Sequence, residues 1–315
     1  MREKHLSERA HGSAGIKRYR TIDSETAEQG VNMQKRSKRI LLTAGIVLLC
    51  LILPGFWNGL TVRHYSVETG RSLGRKSVRL GLITDLHSCF YGKGMKTLIN
   101  AIDKQNPDVI LLGGDIFDDQ QPDDNTEAFL AGISGMAPCY YVTGNHEYWS
   151  GEDAFEKKMA ILDRYGVVRL SGTAAEIEIG GLRLTVCGVD DPCEWTGNLT
   201  GYAPEGFLSE LSTLSQWIDP DKFVILLTHR QELFDLYYNN GFDLVLAGHA
   251  HGGQWRIPGL LNGFYAPNQG FFPELAGGQY ERDGTVMIVS RGLARESTRI
   301  PRFYNPPELV MIDLK

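Results

Sequence analysis

Five times along this chain a short, unbroken apolar run ends in a residue able to hold a metal ion. Leu82-Ile83-Thr84 leads into Asp85-Leu86-His87, and Leu111-Leu112 into Gly113-Gly114-Asp115, with Asp118 following. Tyr141-Val142 leads into Gly144-Asn145-His146-Glu147, Leu226-Leu227-Thr228 into His229, and Val245-Leu246-Ala247 into Gly248-His249-Ala250-His251. Continuous apolar runs of this length read as strands covered on both faces. In open α/β sheets the working residues stand at the carboxyl ends of such strands. The pattern predicts an α/β fold with its chemistry gathered at one edge.

The segments between the runs agree. From residue 78 the order is strand (Val78–Thr84), helix (Gly94–Gln105), strand (Asp108–Gly113), helix (Thr126–Gly135), strand (Cys139–Thr143) and helix (Glu152–Tyr165). That alternation implies parallel strands joined by right-handed crossovers. Further on, Glu176–Ile179 and Leu182–Val189 flank a Gly180-Gly181 hairpin turn, and Phe223–Thr228, Phe242–Ala247, Thr285–Ser290 and Leu309–Leu314 are strands. A helical stretch lies near Gln231–Tyr238. So many strands predict two packed sheets with helices outside. Residues 255–284, rich in Gly, Pro, Asn and aromatics, read as a long functional loop.

The chain has eight histidines. His5 and His11 lie in a polar N-terminal tail and His64 follows an apolar stretch; the other five each stand just after an apolar strand. Imidazole with carboxylate is a ligand mix for zinc, manganese or iron. Asp85 and His87 are two residues apart, as are His249 and His251, so in an extended segment each pair aims at one site. Gly113, Gly114, Gly144, Gly248, Gly252 and Gly253 permit tight turns and close backbone approach.

The ordered set D-x-H, G-D-x-x-D, G-N-H-E, H and G-H-x-H resembles the calcineurin-like metallophosphoesterases over roughly residues 75–315. The resemblance implies an α/β/β/α double β-sandwich and two divalent metal ions (Mn, Fe or Zn). One would be held by Asp85, His87, His251 and a bridging Asp115, the other by Asp115, Asn145, His229 and His249. It implies phosphoric ester hydrolysis by a hydroxide held between the metals. His146 would be the catalyst that stabilises the transition state or protonates the leaving oxygen, and Asp118 the carboxylate that orients it. Glu147 reads as a supporting or helix-start residue and not as a ligand.

Asp119-Gln120 follow Asp118, where the protein serine/threonine phosphatases carry Arg-Gly, which argues against phosphoprotein substrates. Gly248–Gln254, Ser290-Arg291-Gly292 and Pro306-Pro307-Glu308 are similar to a bacterial, membrane-anchored branch. Some members of that branch resemble phosphodiesterases or pyrophosphatases of lipid-linked or nucleotide-sugar substrates. The expected substrate is therefore a phosphorylated small molecule or a lipid-linked one. A broad phosphomonoesterase, or a metal-binding scaffold without turnover, is the alternative.

Ile40 to Trp57 contains no charged residue. Eighteen helical residues span about 27 Å, close to a bilayer's hydrocarbon thickness. Lys35, Arg36, Lys38 and Arg39 precede the run, so the positive-inside rule keeps the N-terminus cytoplasmic and sends the body across. A cleaved signal peptide and a buried core helix are the competing readings. The expected organisation is a disordered basic tail (1–39), a transmembrane anchor (40–57), a juxtamembrane linker (58–74) and the catalytic domain (75–315). The tail holds ten basic and five acidic residues, so a chain of net charge −6 has an acidic body, a poor partner for nucleic acid.

Three features stay open at this stage. Arg291, Arg295, Arg299 and Arg302 fit a solvated charge run or a phosphate-binding cluster. Trp255, Phe264, Tyr265, Phe271 and Phe272 fit contact with a lipid surface or a cover over the core. The cysteines of the body are expected to be mostly free, with Cys139 and Cys187 acting as small hydrophobes in strands.

Overall fold

The computed structural model describes residues 11–71, 74–197, 203–295 and 300–315. The chain divides into two compact units, 1–54 and 55–315. The first contains one long helix, α1 (His11–Ile52). Within Glu28–Phe56 lies a stretch long and apolar enough to cross a membrane. Its large apolar side chains point outward, Leu41 being 71% exposed, which removes the core-helix reading. Residues 1–10, including His5, lie outside the described residues. From His11 the tail expected to be disordered is helical instead. Once an apolar helix is nucleated, extension costs little, and residues 16–50 hold no proline and only two glycines.

The second unit is a two-sheet sandwich. Its strands, in chain order, are β1 (Thr61–Val67), β2 (Val78–Ile83), β3 (Val109–Gly113), β4 (Cys139–Val142), β5 (Val168–Arg169), β6 (Thr173–Ile179) and β7 (Leu182–Gly188). They continue with β8 (Phe223–Leu227), β9 (Leu244–Ala247), β10 (Tyr265–Ala266), β11 (Gly270–Phe271), β12 (Gly278–Arg282), β13 (Thr285–Val289) and β14 (Glu308–Leu314). The first sheet has the order β1-β14-β2-β3-β4-β5 and the second β12-β13-β9-β8-β7-β6. Strands β2, β3 and β4 run parallel, as do β7, β8 and β9.

Period two divides each strand's side chains between two cores. Leu80, Leu82, Val109 and Leu111 of the first sheet meet Leu184, Val186, Ile225 and Leu246 of the second in the central layer. The opposite face of the first sheet packs Ile110 and Leu112 against Leu98, Ile102, Phe129 and Leu162. Those residues come from α2 (Lys96–Gln105), α3 (Asp124–Ile133) and α5 (Glu152–Arg164), between which lies the short α4 (Asn145–Trp149). After α6 (Cys193–Thr196), α7 (Glu205–Thr213) and α8 (Phe234–Tyr237) cover the second sheet through Phe207, Leu211, Phe234 and Tyr237. The layers are α/β/β/α.

The sheet starts earlier than the expected boundary at 75. Strand β1 lies in the segment read as linker and pairs parallel with β14 from Thr61↔Glu308 to Val67↔Leu314. It is an edge strand with Arg63 and His64 exposed, so it lacks the apolar run that marks its buried neighbours. The Arg-rich segment near the C-terminus also departs from the solvated-run reading. Arg291 is buried on Glu308 at 3.0 Å. Arg302 is buried and donates to the carbonyl oxygens of Ala294 and Arg291 at 2.7 and 2.8 Å. Arg299 lies outside the described residues. Cys50, Cys139, Cys187 and Cys193 are free thiols.

Candidate metal centre

The five strand ends meet at one edge of the sandwich. Beyond the last paired residues, the loops after β2 and β3 stay joined by backbone bonds: Asp85 N–H to Gly114 O (3.0 Å) and His87 N–H to Asp115 O (2.9 Å). The period-two argument for paired ligands does not hold here. Asp85, His87, Asp115, His249 and His251 all have positive φ, between 47° and 65°. Each such residue costs of order 1–2 kcal/mol in backbone strain and persists only where its surroundings over-determine it. Close packing forces the turns. A Cβ on Gly114, itself at φ 83°, would stand 2.6 Å from His229 Nδ1, and one on Gly248 would stand 2.6 Å from Asp85 Oδ2.

The side chains form two trios, Asp85/His87/His251 and Asp115/His229/His249, each with its ligand atoms within 4.8 Å of one another, and His87 meets Asp118 and His146 in a third such group. Asp115 Oδ2 lies 3.6 Å from His87 Nε2 and 3.1 Å from His229 Nε2, so it touches both groups. Its other oxygen accepts the His146 backbone N–H at 2.9 Å. Asn145, at the start of α4, is buried beside them. Asp85 Oδ2, His87 Nε2, Asp115 Oδ2, Asn145 Oδ1, His229 Nε2 and His251 Nδ1 are buried without a hydrogen-bond partner. Orphaned buried polar atoms are expensive, and six converging on one place fit a site for divalent cations.

His229 and His87 are each held by one ring nitrogen, as metal-ligating histidines are. His229 Nδ1–H donates to Gly113 O at 2.8 Å, leaving Nε2 for a ligand role. Arg230 donates to His249 Nε2 at 2.7 Å, which places the proton of that neutral ring on Nδ1. His87 Nδ1 bonds Asp118 Oδ2 at 3.0 Å. Burial lowers the pKa of His249 and His251 well below the ordinary histidine value; Arg230 adds to this at His249 and His87 at His251, so both are neutral donors. Burial pushes Asp115 up, yet His229, His146 and His87 outweigh it and hold the carboxyl well below its usual range. Burial likewise opposes charge on His229, but the facing Asp115 pushes that imidazole up to about 10. A cation taken up there exchanges against the His229 proton. At neutral pH about one proton should be released per cation bound at this site, and affinity should rise with pH. Calorimetry in buffers of different ionisation enthalpy measures this; release of no proton would contradict it.

Asp118, the residue expected to orient His146, lies closer to His87. Asp118 Oδ1 accepts the Gln120 and Gln121 backbone N–H groups, both at 2.9 Å, which turns Oδ2 onto His87. His146 Nδ1 instead bonds Asp119 Oδ1 at 2.6 Å, with Asp118 at 3.5 Å. His146, 24% exposed, stands at the mouth of a cavity of about 230 Å³ that also touches Trp149, Arg230 and Asn268.

Sequence reasoning missed Asp119, Arg230 and Asp191. Arg230 is fully buried, with Asp191 engaging its guanidinium from one side and His249 from the other. Its signal was faint, a charged residue directly after His229. Glu147 is a supporting residue: its carboxylate accepts the backbone N–H groups of Asp115, Ile116, Phe117 and Gly144 at 2.8–3.1 Å. Burial, then Asp115, pushes its pKa up to about 7 against the Phe117 and Gly144 N–H groups. Glu147→Gln leaves buried N–H groups facing an amide NH₂ and should cost about 2–4 kcal/mol of stability. Denaturant unfolding measures it, and a change under about 0.5 kcal/mol would contradict this role.

The calcineurin-like phosphoesterase family model matches residues 78–253. An uncharacterized metallophosphoesterase of Aquifex aeolicus is 28% identical over 81% of this chain and 92% of its own length. The uncharacterized metallophosphoesterase YkuE of Bacillus subtilis is 30% identical over 73% of this chain and 76% of its own. Among solved structures, the Haemophilus influenzae NAD nucleotidase aligns with a TM-score of 0.47 at 15% identity over 70% of this chain. This chain spans 46% of the length of that nucleotidase.

Proposed function

Because this chain belongs to the calcineurin-like phosphoesterase family, a family of metal-dependent phosphoric ester hydrolases, we propose that it cleaves a phosphodiester or pyrophosphate bond. Its substrate is lipid-linked or a nucleotide sugar. The observation that carries the reading is the pair of ligand trios meeting at Asp115, with six buried orphan atoms turned toward it. Asp85, His87 and His251 would hold one cation, Asn145, His229 and His249 the other, and Asp115 would serve both. Mixed nitrogen and oxygen donors suit manganese, iron or zinc. When bound, the cations supply a water of lowered pKa and screen the phosphoryl charge.

The chain's own residues do the rest. His146, tethered through Nδ1 by Asp119, offers Nε2 to the cavity and, when protonated, passes its proton to the leaving oxygen. Arg230 cannot reach far into the cavity, because Asp191 and His249 occupy its donors; it fixes the His249 ring. Asp118 fixes His87 in the same way. The apolar stretch ending at Phe56 anchors the protein, with the N-terminus cytoplasmic and the catalytic body outside.

The test uses the full chain in detergent, with metal content measured. Hydrolysis of methyl 4-nitrophenyl phosphate is compared with that of 4-nitrophenyl phosphate, with and without added manganese. Metal-dependent diester turnover supports the proposal. A preference for the monoester favours a scavenging phosphatase. Two bound cations without turnover of either would point to a binding scaffold.

A further inference from the structure

The aromatic residues left open by the sequence do not cover a core. Trp255, Tyr265, Phe271 and Phe272 are 44–65% exposed. They form a continuous strip: Phe264 packs on Trp255 (ring centroids 6.2 Å), Phe271 (5.3 Å) and Phe272 (5.7 Å). Trp255 in turn packs on Phe303 at 5.9 Å, and Phe303 on Phe56 at 5.0 Å. Phe56 is the last residue of the apolar stretch. The strip therefore begins, ring to ring, where the chain leaves its span. Soluble surfaces seldom leave so many large aromatics uncovered, whereas the water–lipid boundary collects them.

The strip also encloses space. An almost wholly apolar cavity of about 550 Å³ lies among Ala250, His251, Trp255, Phe264, Tyr265 and Phe271. His251 and Pro267 line both this cavity and the smaller one at the metal centre. A hydrocarbon-lined space that opens beside a phosphate-handling site suits a ligand with an apolar chain and a phosphate head.

We propose that this aromatic strip seats the catalytic body in the membrane interface, and that the cavity beside His251 receives the hydrocarbon chain of a membrane lipid phosphate ester. The inference rests on the phosphodiester and anchor readings above and names the substrate class for that site.

Full-length protein in nanodiscs made with chain-brominated phospholipid tests the seating without needing turnover. The emission that Trp255→Phe removes should be quenched by the bromine; unquenched Trp255 emission would overturn the seating. The cavity is tested with hexadecyl against methyl 4-nitrophenyl phosphate. The hexadecyl ester should be favoured by about tenfold or more in kcat/KM. The Phe271→Ser, Phe272→Ser double variant should lose that preference while hydrolysing the methyl ester as before. Equal rates on the two esters, or a preference that survives the double variant, would overturn the chain site. Failure to hydrolyse either ester counts against the phosphodiesterase reading, and chain occupancy is then read by displacement of a bound pyrene-labelled fatty acyl lipid, which the double variant should not bind and the wild type should.

Discussion

Asp115→Asn should abolish phosphoesterase turnover, by at least about 10³-fold, and lower the bound metal from two cations per chain toward one or none. Asp115 Oδ2 is in reach of both halves of the centre, 3.6 Å from His87 and 3.1 Å from His229. Asparagine retains an oxygen for the His146 backbone N–H, so the turn at α4 survives. What is lost is the charge between two cation sites and the second acceptor. The variant's fold is checked by its unfolding midpoint and its metal by elemental analysis. Two cations retained with near-native turnover would rule out a bridging role for Asp115.

His146→Ala should lower kcat by about 10²–10⁴-fold while leaving both cations bound. The side chain stands outside the two trios that meet at Asp115, grouped with His87 and Asp118 and tethered by Asp119 at the cavity mouth. The neighbouring carboxylates separate the roles further. Asp119→Asn should cost kcat about 10–100-fold with metal retained, because it loosens the His146 ring. Asp118→Asn should act through His87 and lower metal affinity by a similar factor. A steady-state comparison with metal titration distinguishes them. If Asp118→Asn, and not Asp119→Asn, lowered kcat with both cations retained, the pairing of His146 with Asp119 would be wrong.

The strand ends and their donors were legible because buried parallel strands are unbroken apolar runs, and a histidine or aspartate after such a run stands out. The conformation of those ends was not. A D-x-H or H-x-H spacing suggests extended chain, whereas tertiary packing at Gly114 and Gly248 forces left-handed turns. The choice between Asp118 and Asp119 was beyond reach for a similar reason. Both are carboxylates one residue apart, and two backbone N–H groups from Gln120 and Gln121 decide which way Asp118 faces. Strand β1 was missed because an edge strand needs to bury little, so Arg63 and His64 mask its pattern. Arg291 and Arg302 read as solvated because charge suggests surface. Glu308 and a set of carbonyl oxygens make their burial tolerable.

The pairing of β1 with β14 sets an order of events. Thr61 and its hydrogen-bond partner Pro307 are 246 residues apart. β14 lies between β1 and β2, so no direct pairing of the two earlier strands can stand in for it. As the ribosome delivers the chain, β2, β3 and β4 can associate early, but their exposed edge stays open until the far end arrives. A nascent chain stalled before residue 308 therefore carries a nearly complete body with an unpaired strand edge, the kind of surface on which chains aggregate or chaperones hold on.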